Sequence, residues 1–346
     1  MTLRVGVCGL GFMGRTHLEG YRAARLAGAA VRVAAVADRN ESKRRGDLGS
    51  GGNIDTGGAS EMLFDPDEVE AFADPYELVR RADVDLVSIC THTPTHVDLA
   101  VAALENGKHV FVEKPVALSV AEVERLVAAR DASGKECFPN MCMRHWPGWD
   151  DLRERIEKAE LGELRSLALK RLSPAPGWGA AFYGDTAKTG GALFDLHVHD
   201  VDLVHWILGA PSTVTSVGTR EHVFTQYRFE GRPELAVTAE GGWDLPADFP
   251  FHMGYQAVFE RGAVVFDSNA ANPLVETRRG EAPRVLPMRL GTGYEHEIRH
   301  LVQSLAKART DPRLDGSLDD AVAVTRTLEA EARSLASGRP ESVGAG

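Results

Sequence analysis

Three side chains in this sequence have the types and the spacing of an acid–base centre. Lys114 comes after Glu113, one residue beyond the strand predicted over 109–112, and Pro115 disfavours a helical conformation at Lys114, so the lysine extends beyond the end of that strand. Its ammonium group can then donate to a hydroxyl or carbonyl oxygen. Asp195 and His199 are four residues apart, so in a helix they share one face, and the carboxylate can orient the imidazole for proton transfer. The alternative is a capping acid beside a buried structural histidine.

A glycine pattern follows the first predicted strand, residues 3–8, and precedes a helix predicted over 13–27. Gly9, Gly11 and Gly14 form G-x-G-x-x-G, which allows a sharp turn, a close approach of a pyrophosphate and tight packing of the helix on its strand. The N-terminus of that helix offers partial positive charge to phosphates. The predicted cofactor contacts in this turn are Gly9, Gly11, Phe12, Met13 and Gly14.

An acidic residue after the second predicted strand indicates which dinucleotide binds. The apolar run 31–37 ends at Asp38, near the offset at which an acid binds the hydroxyls of an adenosine ribose. A carboxylate repels a 2′-phosphate, so we predict NAD. Arg39 can turn onto a 2′-phosphate, which leaves NADP as the alternative.

A second polar loop is predicted at the same edge of the sheet, where ligands of doubly wound folds bind. Its predicted cofactor contacts are Thr91, Thr93, Pro94 and His96, and Glu113 and Lys114 add two more after the following strand. Thr93 is also a candidate cap of the next helix, and we expect His96 to be structural rather than catalytic.

The histidines near residue 199 also raise the question of a metal site. His197 and His199 are two residues apart and Asp200 is adjacent, but this spacing does not converge on one point of a helix. No CxxC pair occurs, and we therefore predict no metal. His197 is expected to point away from the face of His199.

Composition excludes several classes of protein. The chain has 346 residues, which suits about two domains, and a net charge of −11, so no basic surface for nucleic acid or an anionic membrane is expected. No apolar run of about 20 residues and no signal peptide occur, so the chain reads as cytoplasmic. Its few cysteines are expected to be reduced; they are Cys8, Cys90, Cys137 and Cys142.

The pattern of predicted elements divides the chain in two. Strands and helices alternate over residues 1–140, which predicts a doubly wound parallel sheet of the Rossmann type. Residues 141–346 contain short alternating segments separated by turns, which predict an α+β domain with an open, mostly antiparallel sheet. Within it we predict a continuous helix over 193–208 and a loop over 173–188. Local order is expected to be poor at 41–58 and in the tail 337–346.

The motifs, taken in order, resemble those of the Gfo/Idh/MocA oxidoreductases, the group that contains glucose–fructose oxidoreductase and inositol dehydrogenase. The most specific are Glu113-Lys114-Pro115 and the later series Gly190-Gly191-x-x-x-Asp195-x-x-x-His199-x-x-Asp202. The resemblance implies hydride transfer between NAD(P) and a secondary alcohol or ketone of a sugar, an inositol or another polyol. It implies Lys114, Asp195 and His199 as the catalytic set.

Further consequences of the resemblance concern the substrate and the assembly. Predicted substrate contacts, besides the catalytic set, are Arg144, His145, Trp146, Trp178 and Tyr183. The open sheet is expected to form a homodimer or homotetramer. Two other functions remain: a sugar-modifying or glycoside-cleaving enzyme without net redox change, and a non-catalytic NAD sensor. The glycine-rich stretch 45–58 and His197 depart from the usual family pattern.

Overall fold

The computed structural model describes residues 2–49, 62–306 and 316–344. It divides into two compact units: Met1–His145 with Gly291–Val322, and Trp146–Leu290 with Ala323–Gly346. No helix of the described residues is both long enough and apolar enough to cross a bilayer.

The first unit is built on a six-stranded parallel sheet. Its strands are β1 (Leu3–Cys8), β2 (Val31–Ala37), β3 (Glu70–Phe72), β4 (Leu86–Ile89), β5 (His109–Val112) and β6 (Cys137–Pro139). Their spatial order is β3-β2-β1-β4-β5-β6, the doubly wound arrangement in which ligands bind where the strand order reverses, between β1 and β4. Buried apolar clusters cover both faces of the sheet, so the strands read as continuous apolar runs.

Helices follow these strands as the alternation predicts. They are α1 (Phe12–Leu26), α2 (Glu41–Arg44), α3 (Pro75–Arg81), α4 (His96–Glu105) and α5 (Val120–Ser133). The Asp74 and Ser119 side chains accept the N–H groups that open α3 and α5. Of the stretch 41–58, residues 41–44 form the single helical turn α2, and residues 50–58 lie outside the described residues.

The second unit contains a nine-stranded sheet. Its strands are β7 (Leu164–Pro174), β8 (Thr213–Gly218), β9 (His222–Arg228), β10 (Ala236–Leu245), β11 (His252–Phe259), β12 (Gly262–Asp267), β13 (Leu274–Arg278), β14 (Arg284–Val285) and β15 (Glu341–Ser342). Among them only β7 and β10 pair in parallel, so the prediction of a mostly antiparallel sheet is confirmed. The predicted fold class, a Rossmann domain followed by an α+β domain, is confirmed with it.

Five helices precede or flank this sheet in the chain: α6 (Trp149–Glu157), α7 (Ala180–Tyr183), α8 (Thr186–Thr189), α9 (Ala192–Asp195) and α10 (Val198–Leu208). The predicted loop over 173–188 is therefore wrong in part, because β7 extends to Pro174 and two helical turns follow. The tail prediction is wrong as well. Glu341 and Ser342 pair with β8, and Val343 is buried, so the sheet edge holds the end of the described chain.

The last two helices are α11 (Gly293–Leu305) and α12 (Leu318–Ser337). Ile298 of α11 contacts α1 at Gly20, where a Cβ would lie 2.4 Å from the Ile298 Cδ1. Leu318 and Ala321 of α12 join the apolar cluster of the first unit. Burial of these side chains, about 1.5–3 kcal/mol for each large one, explains why a late segment of sequence belongs to the first unit.

Candidate active site

The glycine turn after β1 has the shape that a dinucleotide site requires. Gly9 has φ +86°, and a Cβ there would lie 2.6 Å from the Cys90 carbonyl oxygen. A Cβ on Gly14 would lie 1.9 Å from the Gly9 oxygen, whereas one on Gly11 meets nothing within 4 Å. Close contacts within the protein therefore require glycine at Gly9 and Gly14. Gly11 instead keeps space open at the start of α1, where a pyrophosphate can approach.

These two kinds of glycine predict different effects of alanine. Gly11→Ala is expected to keep the thermal stability of the wild type, because the added methyl contacts nothing, and to lower NADH affinity at least about tenfold, because it occupies the phosphate approach. Gly14→Ala is expected to destabilise the first unit by more than about 2 kcal/mol through overpacking. Fluorescence titration with NADH and thermal denaturation measure both. Unchanged NADH affinity in Gly11→Ala would contradict the assignment.

Asp38 retains the capacity to bind a ribose. Its Oδ2 accepts the Leu10 N–H at 2.7 Å and its Oδ1 accepts the Asn40 N–H at 2.8 Å. A carboxylate has about four lone-pair sites, so two backbone bonds orient it and leave acceptors for two hydroxyls. Arg44 donates to the Asp38 carbonyl oxygen at 2.6 Å and holds this turn. The residues present fit the adenosine end of NAD.

The alternative cofactor depends on the charges around Asp38. Arg39 is exposed. The pKa of His92 is lowered by burial first, and then by the positive charge of Arg39, with a smaller contribution from Lys43. These cations face the same region as the Asp38 carboxylate, so NADP remains the alternative cofactor.

The loop after β4 is held by threonine hydroxyls. The Thr95 Oγ1 donates to the His92 carbonyl oxygen at 2.7 Å and lies 2.8 Å from the Thr91 Oγ1. Thr93 begins a 3₁₀ turn, Thr93–Thr95, and Thr95, not Thr93, stands at the N-cap of α4 with no side-chain capping bond. The alternative that Thr93 caps the next helix is wrong, because the 3₁₀ turn intervenes and α4 begins only at His96. The cofactor contacts predicted for Thr91, Thr93 and Pro94 stay predictions.

His96 connects two loops of the first unit. It is 1% exposed, with Nδ1 3.0 Å from the Pro115 carbonyl oxygen and Nε2 2.8 Å from the Thr91 carbonyl oxygen. Burial lowers the pKa of His96, against the two carbonyl contacts, which raise it. A neutral imidazole has one N–H, so it donates to one carbonyl at a time. This position agrees with the structural role expected for His96.

Lys114 follows β5 as predicted and is half-buried. Its backbone N–H donates to the Oε2 of Glu113 at 3.2 Å. Glu113 itself is 4% exposed, and its other oxygen contacts buried side chains behind the loop. The cofactor contact predicted for Glu113 stays a prediction.

In the second unit, the predicted continuous helix over 193–208 is wrong. Asp195 ends α9 and His199 is the second residue of α10, with Leu196 and His197 between the two helices. The His197 N–H reaches back to the Ala192 oxygen and the His199 N–H bonds Leu196 at 3.4 Å, so the regular i to i−4 ladder is interrupted. Asp195, His199 and Asp202 were expected to share one face of a single helix, but Asp195 lies in α9 and the other two lie in α10.

The break coincides with the burial of His197. Its Nε2 lies 3.1 Å from the Tyr227 hydroxyl and 3.3 Å from the Glu331 Oε2, and both His197 and Glu331 are fully buried. A Cβ on Gly241 of β10 would lie 2.7 Å from the His197 Nδ1, so glycine is needed there. His197 thus points into the core, where its contacts are with other buried side chains of the protein.

The His197–Glu331 pair predicts a pH-dependent stability. Burial alone would lower the pKa of His197, but the negative charge of the Glu331 carboxylate, 3.3 Å away, raises it above the ordinary value. Because its pKa is raised, protonated His197 stabilises the folded state below about pH 6.5, the pKa of histidine in the unfolded chain. This stabilisation is lost as the pH rises through the pKa of His197 in the folded state. Glu331→Gln is therefore expected to cost about 3 kcal/mol below pH 6.5 and less as pH rises. Urea unfolding at several pH values measures this; a cost independent of pH would contradict it.

Asp200 is also occupied within the protein. Its two oxygens accept the Nε and Nη2 of Arg171 at 3.0 Å and 2.9 Å, and both side chains are at most 2% exposed. Among the described residues, no group of three His, Cys, Asp or Glu side chains is placed to hold a metal. His199 itself is 8% exposed, and Asp195 is half-buried.

Two of the predicted substrate contacts lie in the first unit. Arg144 is 3% exposed, and its Nη1 lies 3.0 Å from the Asp320 Oδ2. His145 is also 3% exposed, with its ring centroid 5.2 Å from that of His300. Both have protein partners that hold them in one orientation, and a substrate contact remains a prediction for each.

The other three predicted contacts lie in the second unit. Trp146 is half-buried at the start of that unit. Tyr183 is half-buried and packs edge-on against Trp243, with centroids 5.9 Å apart. This pair adjoins Ala192 and Leu196 around α9. The Trp178 side chain lies outside the described residues.

Two family models match the chain along most of its length. Residues 3–141 match the model described as an oxidoreductase family with an NAD-binding Rossmann fold, and residues 149–249 match the GFO/IDH/MocA C-terminal domain. The chain belongs to the Gfo/Idh/MocA oxidoreductase family. The resemblance inferred from the sequence motifs and the prediction of NAD as the cofactor are thereby confirmed.

Relatives of known function share part of this chain. A myo-inositol 2-dehydrogenase of Thermotoga maritima is 28% identical over 207 residues, and an inositol 2-dehydrogenase of Paracoccus denitrificans is 31% identical over 209 residues. Each match covers 60% of this chain and 55% of the relative, so the chain spans about half the length of these relatives.

Solved structures extend the similarity to the whole chain. An oxidoreductase domain protein from Kribbella flavida superposes with a TM-score of 0.81 at 23% identity, and a levoglucosan dehydrogenase complexed with NADH and levoglucosan with 0.80 at 19%. Both comparisons cover 100% of each chain. At these identities they support the shared fold.

Sequence reasoning missed the buried side chains that support the site. His17 and Asn140 both bond Glu113. A signal for Asn140 was present, since Asn140 directly follows β6 and Glu113 directly follows β5, and neighbouring parallel strands end at the same edge. For Tyr227 and Glu331, partners of His197 in distant parts of the chain, no local pattern exists.

Proposed function

We propose that this chain is an NAD(P)-dependent oxidoreductase that transfers a hydride between the nicotinamide and a secondary alcohol or ketone of an inositol, a sugar or a related polyol. The observation that carries the proposal is the occurrence, in one chain of this family, of Lys114 at the end of β5 and of Asp195 and His199 around the break between α9 and α10. A Rossmann fold alone serves many chemistries, whereas this set adds an oxygen-binding cation and a proton acceptor.

Each residue has a separate part in the reaction. Bound NAD would supply the acceptor for the hydride of the carbinol carbon. The Lys114 ammonium donates a hydrogen bond to the substrate oxygen, and His199 takes the proton of the hydroxyl group as a general base. Asp195 stabilises the positive charge that the imidazole then carries. In the reductive direction His199 returns the proton to the same oxygen.

The substrate class is supported by the relatives. The two relatives described above are inositol 2-dehydrogenases, and one of the similar structures is a levoglucosan dehydrogenase. All of these substrates carry secondary hydroxyl groups on a six-membered ring. We therefore place cyclic polyols first among the candidate substrates.

The test is a panel of inositols, sugars and sugar derivatives assayed at 340 nm with NAD and NADP in parallel. We expect NADH to form with at least one cyclic polyol, faster with NAD than with NADP because of the Asp38 carboxylate. NADH binding without turnover of any polyol would overturn the proposal and favour an NAD sensor. A modified or cleaved sugar formed with catalytic NAD and no net NADH would favour the non-redox alternative.

We also propose a homodimer or homotetramer formed through the second sheet. Alternation along the strands places Val217, Phe224 and Val265 on one face, and they are 60%, 43% and 40% exposed. Exposed apolar side chains on one face of a sheet are typical of an interface. Sedimentation equilibrium measures the assembly, and a monomer at all concentrations would exclude it.

A cytoplasmic location belongs to the same proposal. Cys8, Cys90, Cys137 and Cys142 are all buried free thiols, as expected where thiols stay reduced. Fractionation of cells that express the full-length protein would test this, and recovery outside the cytoplasmic fraction would contradict it.

A further inference from the structure

A buried polar cluster lies directly behind the Lys114 loop. The Glu113 Oε1 is 2.9 Å from the His17 Nε2 and 2.7 Å from the Asn140 Nδ2. The three side chains are 0%, 4% and 1% exposed for His17, Glu113 and Asn140, and they come from α1, the end of β5 and the end of β6. Three separate elements of the Rossmann unit therefore meet on one carboxylate.

The three side chains are in mutual contact. The Asn140 amide donates to the Glu113 Oε1, and the His17 Nε2 lies 2.9 Å from that oxygen and 2.9 Å from the Asn140 Nδ2. The His17 Nδ1 is buried and has no hydrogen-bond partner among the described residues, so the imidazole is held through Nε2. His17 also stacks on Phe111, at a centroid distance of 4.9 Å, which holds the ring in place.

The second oxygen of Glu113 extends this cluster to the lysine. The Glu113 Oε2 accepts the backbone N–H of Lys114 at 3.2 Å. On the other side of the lysine, the Pro115 carbonyl oxygen contacts His96 at 3.0 Å. The backbone at Lys114 is thus held from both sides by buried side chains, and the backbone decides where the side chain begins.

We propose that His17 and Asn140 are positioning residues that act through Glu113 to set the location of Lys114, an inference that rests on the proposed function of Lys114. Neither residue touches the reacting atoms. Displacement of a catalytic group by about 1 Å can cost about 100-fold in rate. Loss of either side chain should therefore lower kcat while cofactor affinity, set by the glycine turn and Asp38, is kept.

The first experiment compares His17→Leu and His17→Gln with Tyr21→Phe in the full-length protein. Tyr21 is one helical turn further along α1, and its hydroxyl lies 2.6 Å from the Ser88 Oγ, so Tyr21→Phe removes a buried hydrogen bond that does not reach the Lys114 loop. We expect His17→Leu to lower kcat about 100-fold with NADH Kd within about twofold. His17→Gln should recover part of kcat, because its amide can form hydrogen bonds with the Glu113 carboxylate and the Asn140 amide. Tyr21→Phe should retain kcat.

Two further measurements keep the inference testable. Asn140→Ala removes the amide that donates to Glu113 without altering α1, and it should lower kcat in the same way if His17→Leu does not fold. The rate at which an amine-reactive ester labels Lys114, followed by mass spectrometry, needs no turnover. We expect labelling to become severalfold faster in His17→Leu and Asn140→Ala, since the lysine is less restrained, and to stay unchanged in Tyr21→Phe.

The outcomes separate this inference from the proposed function. If wild-type protein oxidises no polyol, the proposed function fails, and Lys114 labelling alone decides whether His17 positions the lysine. If the wild type is active and Lys114→Ala is not, yet His17→Leu and Asn140→Ala retain full kcat, the positioning role is overturned. An equal loss of kcat in Tyr21→Phe would also overturn it, because the effect would then be general destabilisation.

Discussion

Lys114→Ala is expected to lower kcat/KM for polyol oxidation by about 1,000-fold or more while NADH affinity stays within about threefold. The substitution removes the cation that binds the substrate oxygen as its charge develops, and groups of this kind contribute about 100- to 10,000-fold. NADH affinity depends chiefly on the glycine turn and Asp38, which the change does not touch, so loss of the one contact predicted for Lys114 has a small effect. Steady-state kinetics and a fluorescence titration with NADH give the two quantities.

A lysine at the other end of the same strand provides the control. Lys108 directly precedes β5, and its Nζ donates to the Ala82 and Val84 carbonyl oxygens at 2.9 Å and 3.3 Å. Lys108→Met removes a cation and two hydrogen bonds from the first unit but leaves the carboxyl end of β5 intact. It should lower stability without lowering kcat. Undiminished turnover in Lys114→Ala would refute the role given to Lys114.

The first unit could be predicted closely because its signals are local. The bounds of β1, β2 and β5 agree with the sequence-based prediction to the residue. Each is a short apolar run that ends at glycine, aspartate or a proline-containing turn, and a parallel strand covered on both faces needs nothing else. The position of Lys114 beyond β5 followed from the same reasoning.

The errors occurred where distant residues decide the structure. A helix over 193–208 satisfies local propensity, yet the chain breaks at His197, because its imidazole packs against Tyr227 and Glu331. The polar tail looked unable to fold, yet Glu341 pairs with Val214 of β8. A sheet edge supplies backbone partners whatever the composition of the segment that pairs with it, so no property of the tail alone could indicate this.

The same difference between local and distant signals applies to the residues of the candidate site. The motif residues Lys114, Asp195 and His199 were identifiable because their chemistry and spacing lie in the sequence itself. The supporting residue His17 was not, because its contact with Glu113 spans 96 residues of chain, and Asn140, 27 residues from Glu113, was indicated only by the shared edge at which β5 and β6 end. Such contacts form only once the parallel sheet brings the ends of β5 and β6 together.

His199→Gln is expected to lower kcat/KM for oxidation by about 100- to 10,000-fold, the second largest effect. Glutamine nearly matches the length of histidine and can donate a hydrogen bond, but it cannot take a proton. The wild-type rate of oxidation should rise with pH as the imidazole loses its proton, and this dependence should be absent from the variant. With substrate deuterated at the reacting carbon, the variant should show a smaller isotope effect than wild type if proton removal alone has become limiting. Asp195→Asn should cost less, because it removes the stabilising charge but keeps the base.

A histidine of the same helix separates this role from a structural one. The His205 Nε2 lies 2.8 Å from the Thr327 Oγ1, so His205→Gln changes a half-buried contact of α10 without changing His199. His205→Gln should retain both the rate and its pH dependence. If the rate of His199→Gln still rose with pH as in the wild type, the proton acceptor would have to be another group. The break between α9 and α10 would then serve only to accommodate the buried His197. Loss of that dependence in His199→Gln alone would assign the proton transfer to the imidazole that follows the break between α9 and α10.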